Sequence, residues 1–411
     1  MQISNDVKTL IEIFDGCQIE NVVAGLRFRP EKIIFIGYKN VVRDDKKRAI
    51  ESLFRQKSID VDIEYEIVSR FDYNLVVERL NDILDRSNGA FFDITGGKDM
   101  ILTAIGEVAH VRSVPVIQLN VITGQFIPVK NCEHIIDFPK SSLTISECVA
   151  VNGCSVMHNY SEDFPWDFND EFKKDIEIMW SLCKRNCGLW NRESLVFESF
   201  EKYGSIDSTL LVKANLKYMK EHNADILLVK SFIDYLLKNH LISDYKNDGE
   251  TVEFRYKNPQ IRSAISKAGN ILELYTYVLI NEISEENPLW YDDIDIGVYI
   301  DWDGVIHSDE ERCYDTKNEI DILLTRDLVP VFISCKNGEI HKEALYELET
   351  VADRFGGRYA RKFLVASYIS TNEESRKYII QRAKDMNINL ICDVHSLTRD
   401  DFKTLLKKNI K

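Results

Sequence analysis

The sequence predicts an α/β protein in three parts: a Rossmann-like N-terminal domain at residues 1–140, a connector at 141–258 and a second α/β domain at 259–411. A chain of 411 residues is long enough for two or three domains that each bury a core. With 45% hydrophobic residues, only 8 Pro and 18 Gly, most of it should be packed. In the first and last parts, short apolar runs alternate with amphipathic segments, which is typical of a sheet covered by helices.

The first part shows five strand-like runs separated by four helical segments. Strands are expected at 10–14, 32–37, 61–68, 90–95 and 115–120, and helices at 19–26, 45–57, 73–86 and 100–111. Strand–helix alternation of this kind predicts a parallel sheet. Ligands of such sheets bind beyond the carboxyl ends of the strands, so the loops at that edge are the candidate binding site.

One of these loops, Thr95-Gly96-Gly97-Lys98, passes from a strand end into a helix. Its glycines allow the backbone to approach a phosphate, the helix N-terminus offers N–H groups, and Lys98 adds positive charge. The hydroxyl of Thr95 could add a further hydrogen bond. The loop matches neither a P-loop nor a GxGxxG motif. It predicts an anion site, and the alternative is an ordinary glycine turn with a solvated lysine.

Other polar residues should reach the same edge from neighbouring strands. They follow the first strand, the second strand and the last parallel strand, and they are Asp15, Gly16 and Gln18; Tyr38, Lys39 and Asn40; and Asn120. We expect them to complete a ligand-binding surface. The alternative for each group is plain turn chemistry.

The connector has a different pattern. After an irregular stretch, amphipathic segments at 193–203, 208–221 and 226–239 precede a polar turn at 247–249 and a strand at 251–256. This order resembles a winged helix, a module that often contacts DNA. The alternative is a helical connector that transmits motion, because its lysines are balanced by nearby acids.

The C-terminal part has a helix followed by an alternating series. The helix is expected at 269–278, strands at 294–300, 319–325, 329–336, 362–366 and 389–392, and further helices at 342–355 and 373–385. Strand alternation places Glu319 and Asp321 on one face of a strand, and Ser334 and Lys336 on one face of the next. Carboxylates and a lysine should therefore face each other across two strands.

These residue types suit phosphodiester hydrolysis. Asp321 and Glu273, which lies on the preceding helix, offer the hard oxygen ligands that Mg²⁺ or Mn²⁺ prefers. A lysine beside such a metal, here Lys336, can help to deprotonate water or stabilise a pentavalent phosphate. The alternative is a cross-strand ion pair between Asp321 and Lys336, worth ~0.2–1 kcal/mol.

Both groups of residues resemble known families. The C-terminal helix and strands, with Glu319-Ile320-Asp321 and Ser334-Cys335-Lys336, look like the PD-(D/E)xK restriction-endonuclease superfamily. Thr95-Gly96-Gly97-Lys98 on a Rossmann-like domain looks like a CARF domain, the sensor of cyclic oligoadenylate in type III CRISPR defence. The combination is similar to the CRISPR ancillary nucleases.

The resemblance implies a homodimer whose paired CARF domains bind a cyclic oligoadenylate, cyclic tetra-adenylate first among them, and switch on a metal-dependent nuclease. It makes Glu273 and Asp321 metal ligands, adds the backbone carbonyl of Cys335 as a third, and makes Lys336 the catalytic lysine. Ser334 stands where the superfamily usually has Asp, Glu or Gln. Glu319 could compensate for that missing acid.

The predicted function is a ligand-gated nuclease that nicks or cuts DNA and degrades single-stranded DNA or RNA. The rival is a transcription regulator that responds to cyclic oligoadenylate and binds DNA through the winged-helix-like segment. A formal charge of −15 means that any nucleic-acid contact must be local. With no long apolar stretch and an odd number of cysteines, nine, we expect a cytoplasmic protein that has no membrane contact and whose cysteines pack in the core.

Overall fold

The computed structural model describes the conformation of most of the chain. The described residues are 2–3, 8–135, 142–157, 166–222, 224, 229–288, 290–304 and 316–410. Within these ranges, no helix combines the length and the apolar character needed to cross a membrane. The eight cysteines in these ranges all carry free thiols, and Cys313 lies outside them.

The N-terminal part is a six-stranded sheet flanked by helices. Its elements are β1 (Gln2–Ile3), β2 (Thr9–Ile13), α1 (Val23–Phe28), β3 (Lys32–Gly37), α2 (Asp44–Gln56), β4 (Asp62–Ile67), α3 (Tyr73–Asp85), β5 (Ala90–Asp93), α4 (Asp99–Arg112), β6 (Val116–Asn120), β7 (Gln125–Lys130) and β8 (His134–Ile135). The sheet order is β4-β3-β2-β5-β6-β7, and the first five strands run parallel. All five predicted strands are present. The antiparallel edge strand β7 and the small β1–β8 pair were not predicted.

The connector contains helices and an antiparallel sheet in an order that resembles a winged helix. Its elements are α5 (Ile145–Val151), β9 (Ser155–Val156), α6 (Asp170–Cys183), α7 (Cys187–Tyr203), β10 (Ser205–Ile206), β11 (Leu211–Asn215), α8 (Leu216–Glu221), α9 (Lys230–Lys238), β12 (Ile242–Asn247) and β13 (Thr251–Tyr256). The predicted amphipathic segment 208–221 is a strand at 211–215 followed by a short helix at 216–221, rather than one helix. Strands β11, β13 and β12 pair antiparallel behind the helices. The short elements α5 and β9 instead pack on the C-terminal sheet, and β9 forms an edge strand of that sheet.

The C-terminal part is a mixed sheet between helical layers. Its elements are α10 (Pro259–Ser266), α11 (Asn270–Glu286), β14 (Asp293–Asp301), β15 (Lys317–Arg326), β16 (Val329–Lys336), α12 (Lys342–Gly356), β17 (Arg361–Ala366), α13 (Glu373–Asp385), β18 (Ile388–Ile391) and α14 (Arg399–Asn409). The order is β18-β17-β16-β15-β14-β9, with β16, β17 and β18 parallel and β14, β15 and β16 antiparallel. Helix α14 was not predicted from the sequence.

Helix α11 is buried over most of its length because it carries apolar residues on several faces. Residues such as Leu272, Leu274 and Leu279 are fully buried in a core that α6, α7, the winged-helix segment and the C-terminal sheet share. A helix that is apolar on all sides is stable only inside such a core. The connector and the C-terminal domain are therefore packed as one body of hydrophobic side chains.

Gly356 lets the end of α12 approach β16 closely. A Cβ at this position would lie 2.5 Å from Cε2 of Phe332 and 2.9 Å from Cγ of Pro330. We predict that Gly356→Ala lowers the free energy of unfolding by ~1–3 kcal/mol through overpacking. Gly106→Ala on α4 is the control, because nothing lies within 4 Å of its Cβ and alanine favours helix. Urea unfolding of both variants measures the difference, and equal stabilities would contradict the packing argument.

Candidate functional site

The two strands that carry the predicted catalytic residues separate at one end. Strands β15 and β16 are paired from Arg326 and Val329 as far as Ile322 and Ile333, and the paired ladder stops there. Beyond that point Asp321 bridges the gap: its Oδ2 accepts the backbone N–H of Cys335 at 2.5 Å and the hydroxyl of Ser334 at 3.2 Å. Both bonds go to Oδ2, so Oδ1 remains for another ligand.

Glu273 approaches this gap from the first turn of α11. The side chain of Cys335 is fully enclosed between the strand and this helix. Burial raises the pKa of its thiol well above the usual range, and the nearby carboxylates of Asp321 and Glu273 raise it further. Thr276 on the same helix lies beside the thiol and partly offsets this rise in pKa. Cys335 is therefore a packing residue that joins the two carboxylate-bearing elements, and its backbone is what reaches Asp321.

Lys336, at the end of β16, is half-buried. Burial raises the pKa of Asp321, and the ammonium group of Lys336 opposes this shift through its charge. The carboxylate of Glu347, on α12, raises the pKa of Asp321 further. The structure thus brings Asp321, Ser334, Cys335, Lys336 and Glu273 to one location. Glu347 was not predicted, because nothing in its helical sequence distinguishes it from other exposed acids.

Glu319 does not join this cluster. Its side chain is exposed, and its Oε1 lies toward Gly297 on β14, the neighbour of β15 on the side away from β16. Two residues of strand rise separate it from Asp321. The predicted compensation of Ser334 by Glu319 has no support in this arrangement.

The donor set fits a hard divalent cation held by few protein ligands. Among the described residues, no three His, Cys, Asp or Glu side chains converge as a metal-holding group. A metal here would be held by the carboxylates of Asp321 and Glu273 and the carbonyl of Cys335, with water as the remaining ligands. Mg²⁺ commonly binds in this way, through one or two carboxylates and several waters.

The predicted ligand-binding loops lie along one edge of the N-terminal sheet. In the sheet order, β3 is followed by residues 38–40, β2 by 15–18 and β5 by 95–98, and β6 ends at residue 120. Asp15 joins two of these loops: its Oδ2 accepts the N–H of Gly97 at 2.9 Å and its Oδ1 accepts that of Cys17 at 3.1 Å. Burial raises the pKa of Asp15, but these backbone hydrogen bonds and the charge of Lys98 outweigh it, so the pKa is lowered.

Several of the edge residues have structural roles. The hydroxyl of Thr95 is buried, donates to Asp93 at 2.5 Å and accepts the N–H of Leu119 at 2.7 Å. It therefore holds β5 to β6, contrary to its predicted role as a ligand contact. Oδ1 of Asn120 accepts two N–H groups in its own turn, and the Tyr38 ring is buried.

The groups left facing outward are fewer than predicted. Gly16, Lys39, Asn40, Lys98 and Asn120 are exposed, whereas Gln18 is buried. Gly96 and Gly97 have φ of 77° and 91°, which L-residues rarely adopt, so both positions need glycine. The exposed lysines and the glycine loop at the start of α4 are the part of the edge that is available to an anion.

Three buried acids lie under this edge and were not recognised from the sequence. Glu12 and Asp93 are register partners on β2 and β5, and Glu20 lies in the short helix at 18–21. All three are nearly inaccessible, and an oxygen of each lacks a described hydrogen-bond partner. Burial raises the pKa of each, to about 7 for Asp93, and the mutual charge of the acids adds to this. Their strand positions look like ordinary alternation, so only the sheet order places them together.

Glu20 also joins the N-terminal and C-terminal parts. Its Oε1 accepts the hydroxyl of Tyr359 and lies 3.6 Å from a guanidinium nitrogen of Arg358. Its Oε2 would lie 2.7 Å from a Cβ placed on Gly96. A cavity of about 450 Å³ opens beside this contact, lined by Asp15, Gly16, Cys17, Gln18, Lys46, Asn152, Asp353, Arg354, Gly357 and Arg358.

Comparisons with known proteins agree with this architecture. Residues 262–408 match the family model described as the Card1-like endonuclease domain. A crystal structure of a Vibrio cholerae protein is similar with a TM-score of 0.71 and 15% identity, over 98% of this chain and 97% of that chain. Can2 of Sulfobacillus thermosulfidooxidans, solved in complex with cyclic tetra-adenylate, is similar with a TM-score of 0.67 and 17% identity, over the same shares of the two chains. No curated protein sequence matches the chain.

These findings confirm the predicted α/β architecture, and the resemblance to the CRISPR ancillary nucleases is confirmed as well. The C-terminal domain match supports nuclease activity. At these identities, the two structural relatives show a shared fold along nearly the whole chain. The residues of both sites remain predictions.

The buried carboxyl of Asp93 should make folding pH-dependent. Its pKa of about 7 exceeds the value near 3.9 of an unfolded chain, so the folded state binds the proton more tightly. The stability from this group is complete below pH ~4 and is lost as the pH rises to about 7, an effect on the order of 4 kcal/mol. We predict that Asp93→Asn flattens the urea-unfolding profile over this window. An unchanged slope would show that Asp93 is ionised in the folded protein.

Proposed function

We propose that this chain is a metal-dependent endonuclease of type III CRISPR defence that works as a cytoplasmic homodimer and is activated by a cyclic oligoadenylate, cyclic tetra-adenylate first among them. DNA is the proposed substrate for nicking or cutting, and single-stranded DNA or RNA is a further one. The observation that carries the proposal is the location of Asp321, Glu273 and Lys336 at the separated strands, within a domain that matches a Card1-like endonuclease.

The residues at the gap divide the work of phosphodiester hydrolysis. Asp321 and Glu273 would hold Mg²⁺ or Mn²⁺, which when bound lowers the pKa of water and polarises the phosphate. Ser334 and the Cys335 N–H fix the Asp321 carboxylate, so that its Oδ1 is presented in one orientation. The ammonium of Lys336 would face the phosphate and stabilise the charge that develops on it.

The N-terminal edge supports an anionic activator. Exposed Lys98 and the positive-φ glycines stand at the start of α4, where backbone N–H groups and the helix dipole favour phosphate. Can2, similar in fold, was solved with cyclic tetra-adenylate. A ring of four adenylates carries several phosphates, so two copies of the edge in a homodimer would share it.

The Glu20 contact supports coupling of activator binding to the nuclease. Glu20 lies against Gly96 on one side and holds Tyr359 on the other, just before β17 begins. Strand β17 is the parallel partner of β16, with Ala366 opposite Lys336. A displacement of the glycine loop would therefore move Glu20 and, through it, Tyr359. From there the displacement would pass along β17 to β16, the strand that carries Lys336.

The alternative, a transcription regulator, is less well supported. In a winged helix the third helix, here α9, reads DNA. The hydroxyl of Tyr235 on α9 donates to the carbonyl of Ile178 at 3.1 Å and lies 3.0 Å from Oγ of Ser181, both on α6. Part of the helix surface is thereby occupied by the protein itself, which favours a structural role for the connector.

We predict that Lys336→Ala lowers cleavage of supercoiled plasmid by ~100-fold or more at every activator concentration, because the charge that develops on the phosphate loses the lysine ammonium that would stabilise it. The assay uses Mn²⁺ with cyclic tetra-adenylate. Lys377→Ala is the matched control, since Lys377 lies on α13 in the same domain and is exposed beside Glu373. Full activity of Lys336→Ala would remove the proposed mechanism. If the wild-type protein binds operator DNA but does not cleave it, the transcription regulator is favoured instead.

Two further variants should separate activator binding from coupling. Lys98→Ala should raise the activator concentration for half-maximal cleavage by about 5–30-fold, with the full rate restored at saturation. Tyr359→Phe removes the hydroxyl that binds Glu20, so the ratio of rates with and without saturating activator should move toward one.

Tyr378→Phe, on the exposed side of α13, is the control for the second variant. If Tyr359→Phe responds to activator like the wild type, the Glu20 contact plays no part in coupling. If Lys98→Ala keeps the wild-type half-maximal concentration, the glycine loop is not the activator site.

A further inference from the structure

Asn337, the residue after Lys336, is held by an unusual number of contacts. It is 8% exposed, and its Nδ2 faces three acceptors: Oδ1 of Asn191 at 2.9 Å, the carbonyl of Ala268 at 3.2 Å and Sγ of Cys183 at 3.3 Å. An amide NH₂ has two hydrogens, so it is fully used here. The side chain is therefore tightly oriented.

Asn191 completes the arrangement from the connector. Its Nδ2 donates to the backbone carbonyl of Asn337, while its Oδ1 accepts from the Asn337 side chain. The two asparagines form a reciprocal amide pair between α7 and the end of β16. The pair lies in a largely buried region, where hydrogen bonds are strong and unpaired groups are costly.

The hydrogen bond from Asn337 to the carbonyl of Ala268 links the asparagine pair to Glu273, the second candidate metal ligand. Ala268 lies in the short turn between α10 and α11, two residues before α11 begins, and Glu273 is in the first turn of that helix. On the other side, the carbonyl of Lys336 accepts the N–H groups of Gly338 at 3.0 Å and Ser367 at 3.1 Å. The end of β16 is thus fixed to the turn before α11 on one side and to Ser367, directly after β17, on the other.

We propose that Asn337 and Asn191 are positioning residues for the nuclease site, and that the connector supplies Asn191 to hold the Lys336 strand against the Glu273 helix. This inference rests on the proposed nuclease function. It gives the connector a role in catalysis that does not involve nucleic-acid contact. Asn337 acts through its neighbours, since its side-chain amide and its backbone carbonyl are used within the protein.

The sheet alone does not set this geometry. β16 is paired with β15 only as far as Ile333, so its last residues are held on that side only through Asp321. Glu273 comes from a helix that the ladder does not constrain. A small shift between the two elements would separate the carboxylates, and residues that orient metal ligands typically change affinity or activity by ~10–100-fold.

The test measures Mn²⁺ binding by titration calorimetry without nucleic acid, together with kcat and KM for plasmid cleavage, for Asn337→Ala, Asn191→Ala and the double variant. We expect ~10–100-fold weaker Mn²⁺ binding and lower kcat for Asn337→Ala. Asn191→Ala should act in the same direction, and the double variant should be little worse than Asn337→Ala, because both remove one connected pair.

Asn281→Ala controls for a general loss of stability. Asn281 also lies on α11 and makes two hydrogen bonds, to the carbonyl of Tyr277 and from the hydroxyl of Tyr291, but it is two turns beyond Glu273. It should lower the melting temperature without changing Mn²⁺ affinity. Wild-type Mn²⁺ affinity and kcat in Asn337→Ala would overturn the inference, whatever its melting temperature. If the wild type binds Mn²⁺ but cleaves no nucleic acid, the nuclease proposal fails and the binding comparison still decides the role of the pair.

Discussion

The separation of β15 and β16 beyond Ile322 and Ile333 is the constraint on which the candidate nuclease site depends. A continuous ladder would consume the backbone N–H of Cys335 in strand pairing. Because the strands part, that N–H binds the Asp321 carboxylate instead, and the gap admits groups from α11 and α12. The arrangement uses a break in regular structure to orient a charged side chain, at the cost of burying it.

Burial of acids is a recurrent feature of this molecule. Asp321 is partly desolvated beside Lys336, and Glu12, Asp93 and Glu20 are enclosed under the N-terminal edge. A buried carboxyl without a full set of partners is destabilising, and such strain is found where the surrounding fold compensates. Here the hydrogen bond of Glu20 with Tyr359 and those of Asp93 with Thr95 offset part of that cost. Glu20 lies between the N-terminal edge and the C-terminal domain, where the proposed coupling would pass.

The connector packs against the candidate nuclease site. Its helices share a hydrophobic core with α11, and Asn191 reaches the residue after Lys336. A winged-helix arrangement docked on its neighbours in this way fits the structural role that we propose for the connector. This view accounts for a segment whose sequence shows no catalytic motif of its own.

The sequence by itself predicted most of the elements and the candidate residues of the nuclease site. Periodicity predicted the strands of both sheets apart from the edge strands β7 and β9. Strand alternation pointed to Asp321 and Lys336, because local spacing decides which residues share a face, and residue type pointed to Glu273 on α11. Only the tertiary structure showed that Thr95 is used within the sheet, that Glu319 turns away, and that Glu12 and Asp93 lie side by side. The contacts that matter most join residues far apart in the chain, such as Asp15 with Gly97 and Glu20 with Tyr359. Periodicity reports only on neighbours along the chain. The partners of such long-range contacts can be identified only once the strand order and the packing of the domains are known.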